Sequence, residues 1–313
     1  MADWKILLTD GLEESGQAIL RTAGEVHDRN GISADDLLQV IGEYDAMIVR
    51  GRTKVTPAVF AAAKKLKVVG RAGVGVDNID LNAAREHKVT VVNSPLATSV
   101  AVAELTFGLM LAMVREIPRS DATMKAGKWI KKELEGTEVY GKTLGLIGVG
   151  RIGSQVAMRA AAFGMKVVGY DPELTAAEIA KRGAESVTLD ELFRQADVIS
   201  LHVPLINSTR SMLNADAFAN MKRGVLIVCA ARGGVIDEDA LLAALNSGHV
   251  AGAALDVYAT EPPGLTALVA HPKVICTPHI GAQTIESQGR AAIDISGEVL
   301  NALRGEALRW KVA

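Results

Sequence analysis

Ten short β-branched apolar runs recur along the chain with helical patterns between them: KILL (5–8), AMIV (46–49), KVVG (67–70), VTVV (89–92), LGLIG (144–148), KVVGY (166–170), DVISL (197–201), VLIVC (225–229), GAAL (252–255) and KVICT (273–277). They are continuously apolar, so both faces of each strand must be covered. Parallel sheets flanked by helices satisfy that requirement. The sequence therefore predicts an α/β fold with doubly wound parallel sheets. Four runs precede residue 98 and six follow residue 140, and a chain of 313 residues exceeds the usual single domain. Two domains sharing a cleft are expected, with a boundary near Ser99.

The segment from Ser99 to about Lys125 starts with a candidate Ser cap, carries Glu104 early, and then runs apolar through Leu105, Leu109, Met110, Ala112 and Met113. A helix this apolar must be buried, as an interdomain core element or in a subunit interface. Basic and acidic side chains number 34 and 36, a formal balance of −2 that gives no electrostatic case for nucleic acid or an anionic membrane as partner. Cys229 and Cys276 sit in apolar runs and read as small buried hydrophobes, not as disulfide or metal ligands. No metal site is expected. The start, Met1-Ala2-Asp3-Trp4, lacks the basic and apolar regions of an export signal, and Glu104 interrupts the longest apolar run, so a cytoplasmic location is expected.

One strand leads into a glycine-rich turn and then a helix: LGLIG-VGRIGSQVA, with Gly148, Gly150 and Gly153 in G-x-G-x-x-G spacing. Such glycines allow a tight turn, close backbone approach to a pyrophosphate, and close packing of helix on strand. The helix N-terminus offers free N–H groups to phosphates. The next strand ends at Asp171, 18 residues beyond Gly153, where a carboxylate can accept from the adenosine ribose hydroxyls and repel a 2′-phosphate. No Arg or Lys occurs in Asp171-Pro172-Glu173-Leu174. NAD is thus the predicted cofactor, in preference to NADP. A second glycine-rich stretch, Gly70 to Asp77, lacks that spacing and reads as a loop presenting backbone N–H groups to an anion.

Three later strand ends supply chemistry: Arg232 in ARGG, Glu261 in TEPP and His279 in PHIG. In open α/β sheets ligands bind at the carboxyl ends of strands, so the three can converge. Arg offers a charged fork for a carboxylate, His a proton donor and acceptor, and a carboxylate beside imidazole orients it and favours its charged form. His27, His87, His249 and His271 lie in surface-like contexts and receive no role.

The ARGG, EPP and PHIGA blocks, separated by 29 and 18 residues, resemble the signature of the D-2-hydroxyacid dehydrogenase family, and the resemblance extends over essentially the whole chain. It implies that Arg232 pairs with the substrate carboxylate, that His279 is the acid/base and that Glu261 orients it. It implies carboxylate contacts from the amides of Val74 and Gly75. Around the cofactor it adds Arg151 and Ile152 at the pyrophosphate, the loop His202-Val203-Pro204, Asp256 near the nicotinamide amide, and Ala230, Gly281 and Ala282 as neighbours. A Rossmann-type NAD-binding domain over 99–286, inserted in a flavodoxin-like substrate domain of 1–98 and 287–313, is expected, with homodimers common.

Three stretches, GRAGVGVDNID, KWIKKELEGTEVYGKTLG and CAARGGVIDEDAL, look more like the branch acting on 3-phosphoglycerate than like those acting on glyoxylate, D-lactate or formate. A phosphate demands cations, and Arg50, Arg52 and Arg71 lie at strand ends; Arg50 and Arg71 match family positions. Many members carry C-terminal regulatory domains, whereas this sequence stops at Ala313, so serine feedback through such a domain is not expected. Two other readings remain: a glyoxylate or hydroxypyruvate reductase using the same three residues, and an NAD-binding transcriptional co-repressor sharing the fold.

Overall fold

A computed structural model describes residues 4–313. The reading of Met1, Ala2 and Asp3 as part of an unexported start falls outside the described residues. Among the described residues no helix is long and apolar enough to cross a membrane, and no three His, Cys, Asp or Glu side chains group to hold a metal. The chain divides into two compact units, Met1–Ser99 with Ala282–Ala313, and Val100–Gly281.

In the first unit five strands, β1 (Trp4–Leu8), β2 (Gly24–Asp28), β3 (Ala46–Val49), β4 (Val68–Arg71) and β5 (Thr90–Asn93), form one sheet in the order β2-β1-β3-β4-β5. Every pairing is parallel, which is the flavodoxin-like arrangement. Side chains alternate between two cores: Leu7, Met47, Val49, Val69 and Val91 face one, while Ile6, Leu8, Ile48, Val68 and Val92 face the other. The helix Ile285–Arg304 covers the second face with Ala292, Ile295 and Val299, which is how the C-terminal segment joins this unit. Strand β2, GEVHD, is absent from the apolar runs of the sequence because it lies at the sheet edge and none of its residues is fully buried.

The second unit holds seven strands: β6 (Thr143–Ile147), β7 (Lys166–Tyr170), β8 (Glu185–Ser186), β9 (Val198–Leu201), β10 (Val225–Cys229), β11 (Val250–Leu255) and β12 (Val274–Cys276). Their order is β12-β11-β10-β9-β6-β7-β8, again all parallel. The order reverses between β6 and β9, the switch point at which doubly wound sheets bind ligands. The apolar segment after Ser99 forms two helices, Ser99–Val114 and Ile117–Lys125, broken at Glu116, which takes a left-handed φ of 49° just before Pro118. Ala103, Phe107, Leu109, Met110 and Val114 of the first helix are buried in the core of this unit beside Leu144, Leu146 and Val228. The second helix has no fully buried residue.

Candidate active site

Because all strands of the second unit are parallel, every strand-to-helix loop after a carboxyl end leaves on one edge of the sheet. The glycine turn leaves β6 there. Gly148 has φ 91°, and a Cβ on it would stand 2.6 Å from the carbonyl oxygen of His202. A Cβ on Gly153 would stand 2.3 Å from the Gly148 carbonyl oxygen, so the helix Arg151–Ala162 packs onto the turn only because no side chain intervenes. At Gly150, the N-cap, a Cβ would meet nothing within 4 Å, and no side chain caps the helix. A helix end without a side-chain cap can present first-turn amides and the positive end of its dipole to an anion. This open cradle fits a dinucleotide pyrophosphate.

Asp171 follows β7, and its Oδ2 accepts from Val149 N at 2.9 Å while Oδ1 accepts from Glu173 N at 3.1 Å. The carboxylate thus braces the turn and retains lone pairs for other donors. Arg182, which the sequence reading missed, donates to the Val149 carbonyl at 2.8 Å and brings a cation to the same turn. After β9 stands His202. Its Nε2 lies 2.9 Å from Ser200 Oγ, and its Nδ1 is buried without a partner. Burial lowers the ring's pKa to about 4, so it is neutral at physiological pH. Val203 touches the turn as well, its Cγ1 lying 3.0 Å from where a Gly148 Cβ would be.

Arg232 follows β10 and Ala230, and its guanidinium donates to the Ala231 carbonyl at 2.6 Å. Gly233 lets this loop lie against Tyr258, whose carbonyl oxygen would be 1.7 Å from an added Cβ. Glu261 Oε2 lies 2.8 Å from His279 Nδ1, and Oε1 accepts from Tyr258 N at 3.1 Å. Burial pushes the Glu261 carboxyl up, but the His279 contact, the Tyr258 amide and the charges of His279 and Arg232 outweigh it and hold it below its ordinary value. The three chemistry-bearing residues are therefore one electrostatic group. His279 itself has φ 53°, a left-handed backbone that non-glycine residues seldom adopt and that surrounding contacts must impose.

Asp256, 1% exposed, supplies those contacts. Its Oδ1 accepts from Thr277 Oγ1 at 2.6 Å and Ile280 N at 2.8 Å, and Oδ2 accepts from Gly281 N at 2.9 Å. It fixes the loop carrying His279, a structural task in addition to the cofactor contact the resemblance implies. Ala282 is held within the other unit, where its carbonyl accepts from Gln288 Nε2 at 2.7 Å.

In the first unit the predicted anion ligands stand at the carboxyl ends of β3 and β4. Arg50 forms an ion pair with Glu13, and its Nε is buried without a partner. Arg52 donates through NH2 to Thr9 O at 2.5 Å and Asp10 Oδ1 at 3.2 Å. Asp10, unnoticed in the sequence, also accepts from the amides of Arg50 and Thr53 and from the Thr53 hydroxyl, at 2.8, 3.1 and 2.6 Å. Although burial raises its pKa, these donors bring it below the usual carboxylate range. Arg71 donates to Ala72 O at 3.2 Å. Neither the Val74 nor the Gly75 amide donates to a protein acceptor among the described residues.

A glycine-rich cradle thus lies at the switch point, and Arg232, Glu261 and His279 follow the carboxyl ends of β10, β11 and β12 of the same sheet. Residues 107–281 match the family described as D-isomer specific 2-hydroxyacid dehydrogenase, NAD binding domain. A D-3-phosphoglycerate dehydrogenase of Methanocaldococcus jannaschii is 49% identical over 96% of this chain and 58% of its own length. The chain spans little more than half the length of that relative and of its rat counterpart, 57% in the latter case. Among solved structures, a Thermus thermophilus protein superposes with TM-score 0.90 at 35% identity, covering 99% of this chain and all (100%) of that one. A glyoxylate reductase from Paecilomyes thermophila gives TM-score 0.90 at 33% identity over 100% of this chain and 99% of its own. The chain belongs to the D-isomer specific 2-hydroxyacid dehydrogenase family, and its second unit is that family's NAD-binding domain.

Proposed function

We propose that the chain transfers a hydride between NAD(H) and a D-2-hydroxy acid or 2-keto acid pair, with 3-phosphoglycerate and 3-phosphohydroxypyruvate as the substrate pair. The observation that carries the reading is the 2.8 Å contact between Glu261 and His279 beside Arg232, behind an NAD-type glycine turn. The nicotinamide supplies or accepts the hydride. His279, oriented through Nδ1, holds the proton at Nε2 that the keto oxygen gains on reduction and takes it back on oxidation. Arg232 pairs with the carboxylate of the substrate. In the first unit the amides of Val74 and Gly75 donate to a carboxylate oxygen, and Arg50 and Arg71 donate to a phosphate. Gly148, Gly150, Arg151, Ile152 and Gly153 hold the pyrophosphate, Asp171 the ribose, and His202, Val203, Pro204, Ala230, Asp256, Gly281 and Ala282 line the rest of the cofactor.

Support for the phosphorylated substrate comes from relatives named D-3-phosphoglycerate dehydrogenase at 45–49% identity. A second reading, an unphosphorylated keto acid such as glyoxylate or hydroxypyruvate, is favoured by one observation: Arg50 is already paired with Glu13 and Arg52 with Asp10. A kinetic panel of 2-keto and 2-hydroxy acids with NAD(H) and NADP(H) separates the two, and activity on none of them removes both. The proposal includes a homodimer, supported by Ile117, Met124, Trp129 and Tyr140, which are 52%, 54%, 77% and 76% exposed within one stretch. A monomer in sedimentation equilibrium would exclude it. A cytoplasmic setting belongs to the same reading, since Cys229 and Cys276 are free thiols.

A further inference from the structure

The loop after β4 that carries Val74 and Gly75 is fastened by two consecutive residues at the end of β5. Gly73 N donates to the buried hydroxyl of Ser94 at 2.7 Å, Ser94 N donates back to Gly73 O at 3.0 Å, and Asn93 Nδ2 donates to Val74 O at 2.7 Å. A peptide carbonyl and the following amide belong to one rigid plane. The bond at Val74 O therefore sets the direction in which the Gly75 N–H points.

Asn93 is fastened in turn from its other side. Its amide donates to Trp310 O at 3.2 Å, while Val91 N donates to Ala313 O and Val312 N to Val91 O, at 2.9 and 2.8 Å. The last residues thus lie antiparallel along the free edge of β5, with a bridge at Val92 and Lys311. Glu298, wholly buried on the helix Ile285–Arg304, holds this strap: Oε2 accepts from the amides of Arg309 and Trp310 at 2.9 and 3.1 Å, and Oε1 from Arg309 Nε at 2.9 Å. A buried carboxylate is costly to keep unless donors surround it, and here the donors are the strap itself. A continuous chain of hydrogen bonds runs from Glu298 through the strap and Asn93 to the loop.

We infer that Asn93 is a positioning residue for substrate binding, aiming the Gly75 amide at a substrate carboxylate, and that the Glu298-anchored strap supports it. The inference rests on the proposed carboxylate-binding role of this loop. Asn93→Asp keeps the shape but replaces the donor with an acceptor facing Val74 O, so it turns attraction into repulsion. Asn93→Asp should raise KM for the keto acid roughly tenfold or more, with kcat within about twofold and NADH affinity unchanged. Glu298→Gln loosens the strap and should raise KM in the same direction by a smaller factor. The double variant should be no worse than Asn93→Asp alone, because both act through one path. Global loosening would lower kcat and KM performance together and shift the melting curve; the split between KM and kcat, measured well below the melting temperature, separates the two. Unchanged KM in Asn93→Asp, with wild type active, overturns the inference. A wild type inactive on every keto acid would instead remove the function on which it rests.

Discussion

Nδ1 of His279 lies 2.8 Å from Oε2 of Glu261, and the same Glu261 senses the charge of Arg232, so a proton carrier, its orienting carboxylate and a cationic fork form one cluster. The backbone at His279 is left-handed, with φ 53°, and Asp256 holds the residues that follow it. The ring nitrogen not engaged by Glu261 is thereby placed by contacts that precede any substrate.

Replacing Glu261 by Gln removes the carboxylate that holds the ring at 2.8 Å while keeping most of the shape. Keto-acid reduction needs a correctly oriented proton carrier, so kcat should fall by roughly one to two orders of magnitude with NADH affinity unchanged. A kcat that stays near wild type would show that Glu261 only shapes the loop.

His202 gives a stability prediction of definite sign. Its pKa is about 4 in the folded chain against 6.5 ordinarily. As pH falls below about 6.5 the unfolded chain takes up the proton and the folded chain does not, so stability declines until about pH 4, by up to about 3 kcal/mol. Melting temperature should fall more steeply over this window in wild type than in His202→Gln, which has no ring to protonate. Parallel curves would mean that His202 protonates readily when folded.

Asp171→Ala should narrow the NAD/NADP ratio of kcat/KM by roughly one to two orders of magnitude, each tenfold being about 1.4 kcal/mol. Since Asp171 also accepts from Val149 N, some thermal stability should be lost as well. Arg182, bonded to the Val149 carbonyl, brings a cation to the same turn, and Asp171→Ala/Arg182→Ala should lose part of the gain with NADP. An unchanged ratio in Asp171→Ala contradicts the ribose assignment.

Arg50→Ala or Arg71→Ala should raise KM for 3-phosphohydroxypyruvate at least about tenfold and leave hydroxypyruvate nearly unaffected. Glu13 competes for Arg50, so Glu13→Gln should lower KM for the phosphorylated substrate alone. Equal effects on both substrates would favour the unphosphorylated reading.

The elements with the least ambiguous sequence signal were those whose determinants are local. Continuous apolar runs gave ten of the twelve strands, and the glycine spacing, Asp171 and the Arg232, Glu261 and His279 blocks fell at strand ends as the parallel fold requires. The two missed strands, β2 and β8, are edge strands without a fully buried residue. The single helix read after Ser99 is two, because Glu116 and Pro118 break it. Asp10, Asn93, Arg182 and Glu298 escaped because their importance lies in hydrogen bonds to residues 11 to 43 positions away, which no local pattern records. The hold of Asp256 on the His279 loop, through residues 21 to 25 positions away, is invisible to a local pattern for the same reason.

The most direct test is NADH oxidation with 3-phosphohydroxypyruvate or hydroxypyruvate by wild type and His279→Asn, alongside NADH affinity by fluorescence. His279→Asn should lose turnover by about 10²–10⁴ with NADH binding unchanged, because the cradle that begins at Gly148 and the proton carrier are separate parts of the second unit. Turnover retained within a few-fold would contradict the role of His279 as proton carrier.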